Sequence, residues 1–178
     1  VKLLSCLFDF YDKRSYSFKF GKNVLLPIGL TDVLHILGLP IKGKPVIENE
    51  TSMTPREVVM KYLGRDYCKT KKSKGVNYDT STVELSWLRN NFMHDGSSDL
   101  SQQVRAYVLY VLGSIIFSRS NEVNVYYLLL LENIDDIGLY AWGAACLVNI
   151  HDALEQGKKK REKGKPVNDL PFTTILLQ

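Results

Sequence analysis

Along residues 3–11, apolar side chains fall at Leu3, Leu4, Leu7, Phe8 and Tyr11, the spacing of one helix face. Tyr16, Phe18 and Phe20 then alternate with polar positions, Gly21-Lys22-Asn23 supplies a turn, and Val24-Leu25-Leu26 follows, a pattern that predicts a β-hairpin. Helical signals dominate from there. Thr31 or Asp32 can cap a short helix through Leu37, with Gly38 at its end and Pro40 just beyond. Thr54-Pro55-Arg56-Glu57 carries a cap, a proline at the first helical position and a glutamate closing the capping box. Ser81-Thr82-Val83-Glu84 repeats that signature ahead of a stripe at Leu85, Leu88 and Phe92. Asp99 opens the next helix, apolar on nearly every face over residues 104–117, which places it at the centre of a bundle. Residues 126–131 read as a short apolar helix or turn. Residues 135–156 read as one long helix stopped by Gly157, and Asp169 with Pro171 starts a last one. The small residues Gly138, Ala141, Gly143, Ala144 and Ala145 allow a neighbouring backbone to come close.

The expectation is a mainly α fold, a helical bundle with one small β-hairpin near the N-terminus. No repeated βαβ pattern is present, which excludes a Rossmann-type sheet. The 178 residues suffice for a single domain over 1–178. The chain opens inside a hydrophobic pattern, without a basic leader or a cleavage site, so truncation at its start is expected. Its longest uncharged apolar run, residues 106–117, is too short to span a membrane. Three scattered cysteines, Cys6, Cys68 and Cys146, offer neither a disulfide framework nor a zinc spacing.

Several segments, in order, resemble the plant mobile domain family, also labelled aminotransferase-like. They are Leu30-Thr31-Asp32-Val33 leading to Gly38-Leu39-Pro40, then Leu85-Ser86-Trp87-Leu88, then Ala106-Tyr107 through Gly113 and Phe117. Ile134-Asp135-Asp136-Ile137-Gly138 with Tyr140-Ala141-Trp142-Gly143 is the most specific, and Ile175-Leu176-Leu177-Gln178 ends the series. Tyr126 and Leu129 depart from the arginine and proline of the family pattern. The resemblance covers residues 16–178 and makes the chain the front part of the domain. It makes Gly38, Leu39, Pro40, Trp87, Gly113, Gly138, Tyr140, Trp142 and Gly143 structural family-motif residues. It implies plant proteins, some encoded within transposable elements and others nuclear and concerned with meristem maintenance, genome stability and transposon silencing, some fused to a phosphatase-like domain or acting with a phosphatase-like partner. No cofactor and no catalytic residue set come with it.

The residues themselves agree on chemistry. There is no His-x-x-x-His, Cys-x-x-Cys, Gly-x-Ser-x-Gly or phosphate-loop pattern. His35 sits in an apolar helix, His94-Asp95 in a turn, and His151-Asp152 near a helix end, where an imidazolium suits the dipole. Cys146 and His151 lie about 140° apart around a helix and share no face. Asp135 and Asp136 read as complements to a helix start, Tyr140 and Trp142 as core. Arg89, Arg105 and Glu132 could form a polar network.

Charge is uneven. Residues 69–74 and 158–165 hold ten of the 23 basic residues and one of the 19 acidic ones, leaving 13 basic against 18 acidic elsewhere. Positive charge is therefore expected on two loops: Lys69, Lys71, Lys72 and Lys74 on one, Lys158, Lys159, Lys160, Arg161 and Lys163 on the other. They fit a nuclear localisation signal or a weak nucleic-acid contact. The reading that follows is a non-catalytic nuclear protein-interaction module with no metal, cofactor or membrane partner. Its alternatives are a nucleic-acid-binding domain derived from a transposon protein, or an enzyme whose site needs a downstream part.

Overall fold

The computed structural model describes residues 2–47, 51–73, 75–93, 99–118, 121–165 and 167. Lys74, the turn at His94-Asp95 and the helix expected after Asp169 lie outside the described residues. The chain forms two compact units, Val1–Pro45 with Tyr140–Gln178, and Val46–Leu139.

The first unit opens with helix α1 (Lys2–Phe10), which stops one residue short of the expected Tyr11. Tyr11 instead begins a two-residue strand β1 (Tyr11–Asp12). The expected hairpin follows as β2 (Ser17–Phe20) and β3 (Val24–Pro27), in register Phe18↔Leu26 and Phe20↔Val24. β1 pairs antiparallel on the far side of β2, so the hairpin is part of a three-stranded sheet. Helix α2 (Leu30–Leu37) starts ahead of Thr31: Gly29 is its cap, and the Asp32 carboxylate accepts the Gly29 N–H at 2.7 Å. Gly38 ends it at φ 66°, a left-handed turn that glycine adopts without a Cβ clash.

In the second unit, α3 (Pro55–Leu63) begins as its capping box specifies, with Thr54 and Glu57 exchanging hydrogen bonds. A hairpin, β4 (Thr70–Ser73) and β5 (Val76–Asp79), stands where a basic loop was expected. A further short strand, β6 (Thr82–Glu84), precedes α4 (Leu85–Phe92). Ser81–Glu84 is therefore no capping box: these residues pair with β7 (Glu122–Asn124), and Glu84 caps α4 through its backbone alone. Helix α5 (Leu100–Val111) is capped by Asp99 and widens into a π-helical turn, Leu112–Ile116. Gly113 makes room there, since a Cβ would sit 2.6 Å from the Val123 side chain and 2.7 Å from Leu85. Within α5 only Ala106 and Leu109 are buried, and Leu100 and Tyr107 are exposed, so α5 is not enclosed on all sides. A 3₁₀ helix, Val125–Leu131, packs on α3 and α5 and buries Leu128 and Leu131. Arg105 closes its end by donating to the Leu131 and Glu132 carbonyls at 2.9 Å, and Glu132 pairs with Lys61. Arg89 has no place in that network.

The chain returns to the first unit in α6 (Trp142–Glu162), which packs on α1 and α2. The long helix expected from residue 135 is divided. Ile134–Leu139 is a 3₁₀ helix carrying Asp135 and Asp136 in its own first turn, and α6 starts afresh at Trp142. The break is held by long-range bonds: Ala141 N–H donates to the Lys44 carbonyl at 2.9 Å and Gly143 N–H to Pro40 at 2.8 Å. A Cβ on Gly143 would lie 3.1 Å from the Leu39 and Pro40 carbonyls, so the close approach expected of the small residues is made to segment 39–41. Gly157 is not a stop either; it lies inside α6, under the ring of Phe8.

The described residues thus correct the expected fold. Three separate antiparallel sheets, one of three strands and two of two, accompany the helices, in place of a bundle with one hairpin. The extra strands are short and mostly polar or exposed, so no apolar alternation announced them.

Candidate functional site

One face of α6 and the sheet beside it enclose an open cleft of about 520 Å³. α6 contributes Leu147, His151 and Glu155, one turn apart, with Val148 and Asp152 next to them. Tyr11, Lys13, Tyr16 and Ile28 line the opposite wall. The sequence could not place these walls together, because Tyr11 and His151 are 140 residues apart.

The Tyr11 hydroxyl lies 2.9 Å from Nδ1 of His151. Burial and the nearby carboxylates of Glu155, Asp152 and Asp12 push the Tyr11 phenol up to about 12. It therefore keeps its proton at neutral pH and is hydrogen-bonded to Nδ1. Burial pulls the imidazole below its ordinary value of 6.5, against the smaller opposing influences of the Ile28 backbone and Asp152. Burial thus favours the neutral ring, which is held by the Tyr11 hydroxyl. It also stands three turns before the end of α6, so the expected helix-terminus role does not apply. Tyr16 meets it edge-on at 4.8 Å, and Lys13 pairs with Glu155 at 2.5 Å.

A pH effect follows. Below pH 6.5 the unfolded chain binds a proton at this histidine that the folded one resists, so stability falls as pH drops through that range. Urea unfolding of the wild type and His151→Gln from pH 7.5 to 5 should show this slope reduced in the variant. Equal slopes would remove His151 from the account.

Elsewhere, chemistry is sparse. Cys146 is buried, which pushes its thiol up to about 11 and away from nucleophilic use. His35 is exposed on α2. Among the described residues no three His, Cys, Asp or Glu groups converge as a metal site.

Most of the described basic residues lie on regular structure, with Lys69 and Lys163 just outside an element. Lys158–Arg161 form the last turns of α6: Lys158 donates to the Tyr11 carbonyl at 2.6 Å, Lys159 pairs with Glu155, and Arg161 makes a two-pronged pair with Asp9. Lys160 and Lys163 are exposed. In the second unit, Lys69 bridges Glu84 and Glu122 at 2.7 and 2.5 Å, while Lys71 and Lys72 lie exposed on β4. The two clusters belong to different units.

The family-motif residues have defined surroundings. Trp142 is buried with its ring 5.6 Å from Tyr140, whose backbone bridges to Lys44. Trp87 meets Tyr67 at a tilt and Phe92 edge-on. Gly138 is exposed, with open space where a Cβ would stand.

A second surface was not anticipated. β3 is the edge of its sheet, and its residues are exposed along their whole length. Register puts Val24 and Leu26 on the same face as Phe20 and Phe18, and Phe20 meets Phe10 at 5.0 Å. Val24 and Leu26 remain 59% and 56% exposed, an apolar face left open to solvent.

Comparison with known proteins agrees with this architecture's sequence signals. The family described as Plant mobile domain matches residues 11–175. "Protein MAIN-LIKE 2" of Arabidopsis thaliana is 37% identical over 90% of this chain and 24% of its own length. "Protein MAINTENANCE OF MERISTEMS" of the same plant is 30% identical over 90% of the chain and 33% of its own length. A more distant relative, "Serine/threonine-protein phosphatase 7 long form homolog", is 23% identical over 89% of the chain and 12% of its own length. The chain spans a third or less of the length of these relatives. No solved structure matches it. With the family profile matched over nearly its whole length, the chain belongs to the plant mobile domain family.

Proposed function

We propose that this chain is a non-catalytic, nuclear protein-interaction module serving meristem maintenance and transposon silencing. The observation that carries the reading is the open apolar edge around β3. An exposed edge strand with Val24 and Leu26 beside Phe10 and Phe20 is a template for an extended apolar segment of a partner. The partner proposed is a phosphatase-like protein. One relative carries a region like this chain within a polypeptide named as a phosphatase, and domains joined in one protein are candidates to associate when separate.

Two further points support a binding role over catalysis. The cleft histidine has Nδ1 committed to the Tyr11 hydroxyl. The family relatives named for meristem maintenance carry no reaction in their names. The nucleic-acid alternative loses support because Lys69, Lys158, Lys159 and Arg161 already have partners within the chain. Nuclear targeting would rest on the exposed Lys160 and Lys163.

The test is affinity capture from plant nuclei with wild type and a Val24→Asp, Leu26→Asp double variant. A phosphatase-like protein should be recovered by the wild type and reduced about tenfold or more by the variant, since charge on a buried interface core costs at least that much. The melting temperature should be unchanged, because both side chains are already exposed. Equal recovery by the two proteins would contradict the assignment.

A further inference from the structure

We infer that the cleft between β1 and α6 binds an alkylammonium group, a cationic nitrogen carried on a hydrocarbon stem. The inference stands apart from the partner surface on β3 and needs none of it.

Tyr16 supplies the first observation. Among the described residues it alone has a positive φ without being glycine, at 49°. A bulky residue in that region stores strain of the order of 1 kcal/mol, and such strain concentrates where a ligand is held. Core packing does not offset it, because Tyr16 is 52% exposed. What the turn achieves is to hold the phenol ring against His151 at the cleft mouth.

The walls give the second. Tyr16 meets the His151 imidazole edge-on, and the buried Tyr11 backs the same ring through its hydroxyl, so Tyr16 and His151 form an open aromatic corner. Aromatic faces attract cations, most strongly where water is excluded. A neutral imidazole adds a ring without adding repulsion. Below the rings, Ile28 and Leu147 offer an apolar track for a stem, and Val148 stands at the rim.

Charge decides the sign of the ligand. Asp152 and Glu155 project from α6 into the cleft, and with Asp12 they act on the Tyr11 hydroxyl as negative neighbours. The chain's own lysines already use this field: the Lys13 and Lys159 ammoniums rest on Glu155, and Lys19 rests on Asp12. An anion entering here would meet those carboxylates; a further cation would compete with Lys13 and Lys159. The cleft volume, about 520 Å³, exceeds what a quaternary ammonium head needs and leaves space for its stem.

Two sources share this chemistry, a free small amine and a methylated lysine side chain on a polypeptide. The experiment is an NMR titration of the 178-residue chain, following the Tyr16 and His151 ring signals. The probes are choline, its neutral isostere 3,3-dimethylbutanol, and a short peptide bearing trimethyl-lysine. Saturable shifts are expected with choline or the peptide, and binding several-fold to about tenfold weaker with the neutral isostere. Tyr16→Gly, which relaxes the backbone while deleting the ring, should lose a similar factor. Lys13→Met should tighten cation binding, because it removes one of the two internal competitors on Glu155. Tighter binding of the peptide than of choline identifies a polypeptide source; the reverse identifies a free amine. The inference is overturned by absence of saturable shifts with both cations, by equal binding of the neutral isostere, or by weaker cation binding in Lys13→Met.

Discussion

Replacing Gly157 with alanine should destabilise the chain by about 2 kcal/mol, although the change improves helix propensity. A Cβ at this position would lie 2.1 to 2.5 Å from three atoms of the Phe8 ring. Phe8 is 1% exposed, so its ring cannot swing into solvent. Overpacking a filled core costs up to about 3 kcal/mol, against the roughly 1 kcal/mol that alanine gains over glycine inside a helix. The steric term wins. Phe8→Leu removes the ring edge and should recover part of the loss in the double variant, giving a coupling that neither single change shows. Urea unfolding of the four proteins measures this directly. If alanine at 157 proves stabilising, the packing of α1 on α6 is wrong.

Trp142→Ala should cost more, about 3–5 kcal/mol, the range for truncating a buried large aromatic. Trp142 is 4% exposed at the first turn of α6, beside the glycine that fits against the 39–41 carbonyls. Trp142→Phe, which keeps most of the apolar contact, should lose much less. The comparison bears on function as well as stability. A tryptophan kept to stack on a ligand would be dispensable for folding, and its truncation would shift the melting temperature by a degree or two at most.

Local signals were read from the sequence where local chemistry decided the outcome. Thr54, Pro55 and Glu57 specify a helix start among themselves, and the helix starts there. Gly38 and Gly64 end helices at φ 66° because each turn needs a left-handed residue. The same letters mislead when a distant segment competes. Ser81–Glu84 carries the capping-box pattern, yet Thr82 gives its hydroxyl to Glu122 and Val83 pairs with Val123, forty residues away. Residues 70–73 look like a solvated lysine run because every side chain of that strand is exposed. Periodicity alone ran residues 135–156 together, since the break at Ala141 is imposed by the carbonyls of Pro40 and Lys44.

The cleft was legible only in fragments. His151-Asp152 stood out as a pair, but its surroundings depend on Tyr11 and Tyr16, and no spacing rule connects positions so far apart. The apolar edge was visible as Val24-Leu25-Leu26. Whether such a run faces inward is settled by what packs on it, and β2 covers one edge only.

The reading of this chain as a partner-binding module stands or falls on β3. The direct measurement is amide hydrogen exchange of the 178-residue chain with and without a purified phosphatase-like domain from a plant nuclear protein. Protection centred on Val24–Pro27, abolished together with binding in the Val24→Asp, Leu26→Asp variant, is the expected result. No complex at all, or a complex that protects other segments and is indifferent to the double variant, would contradict it.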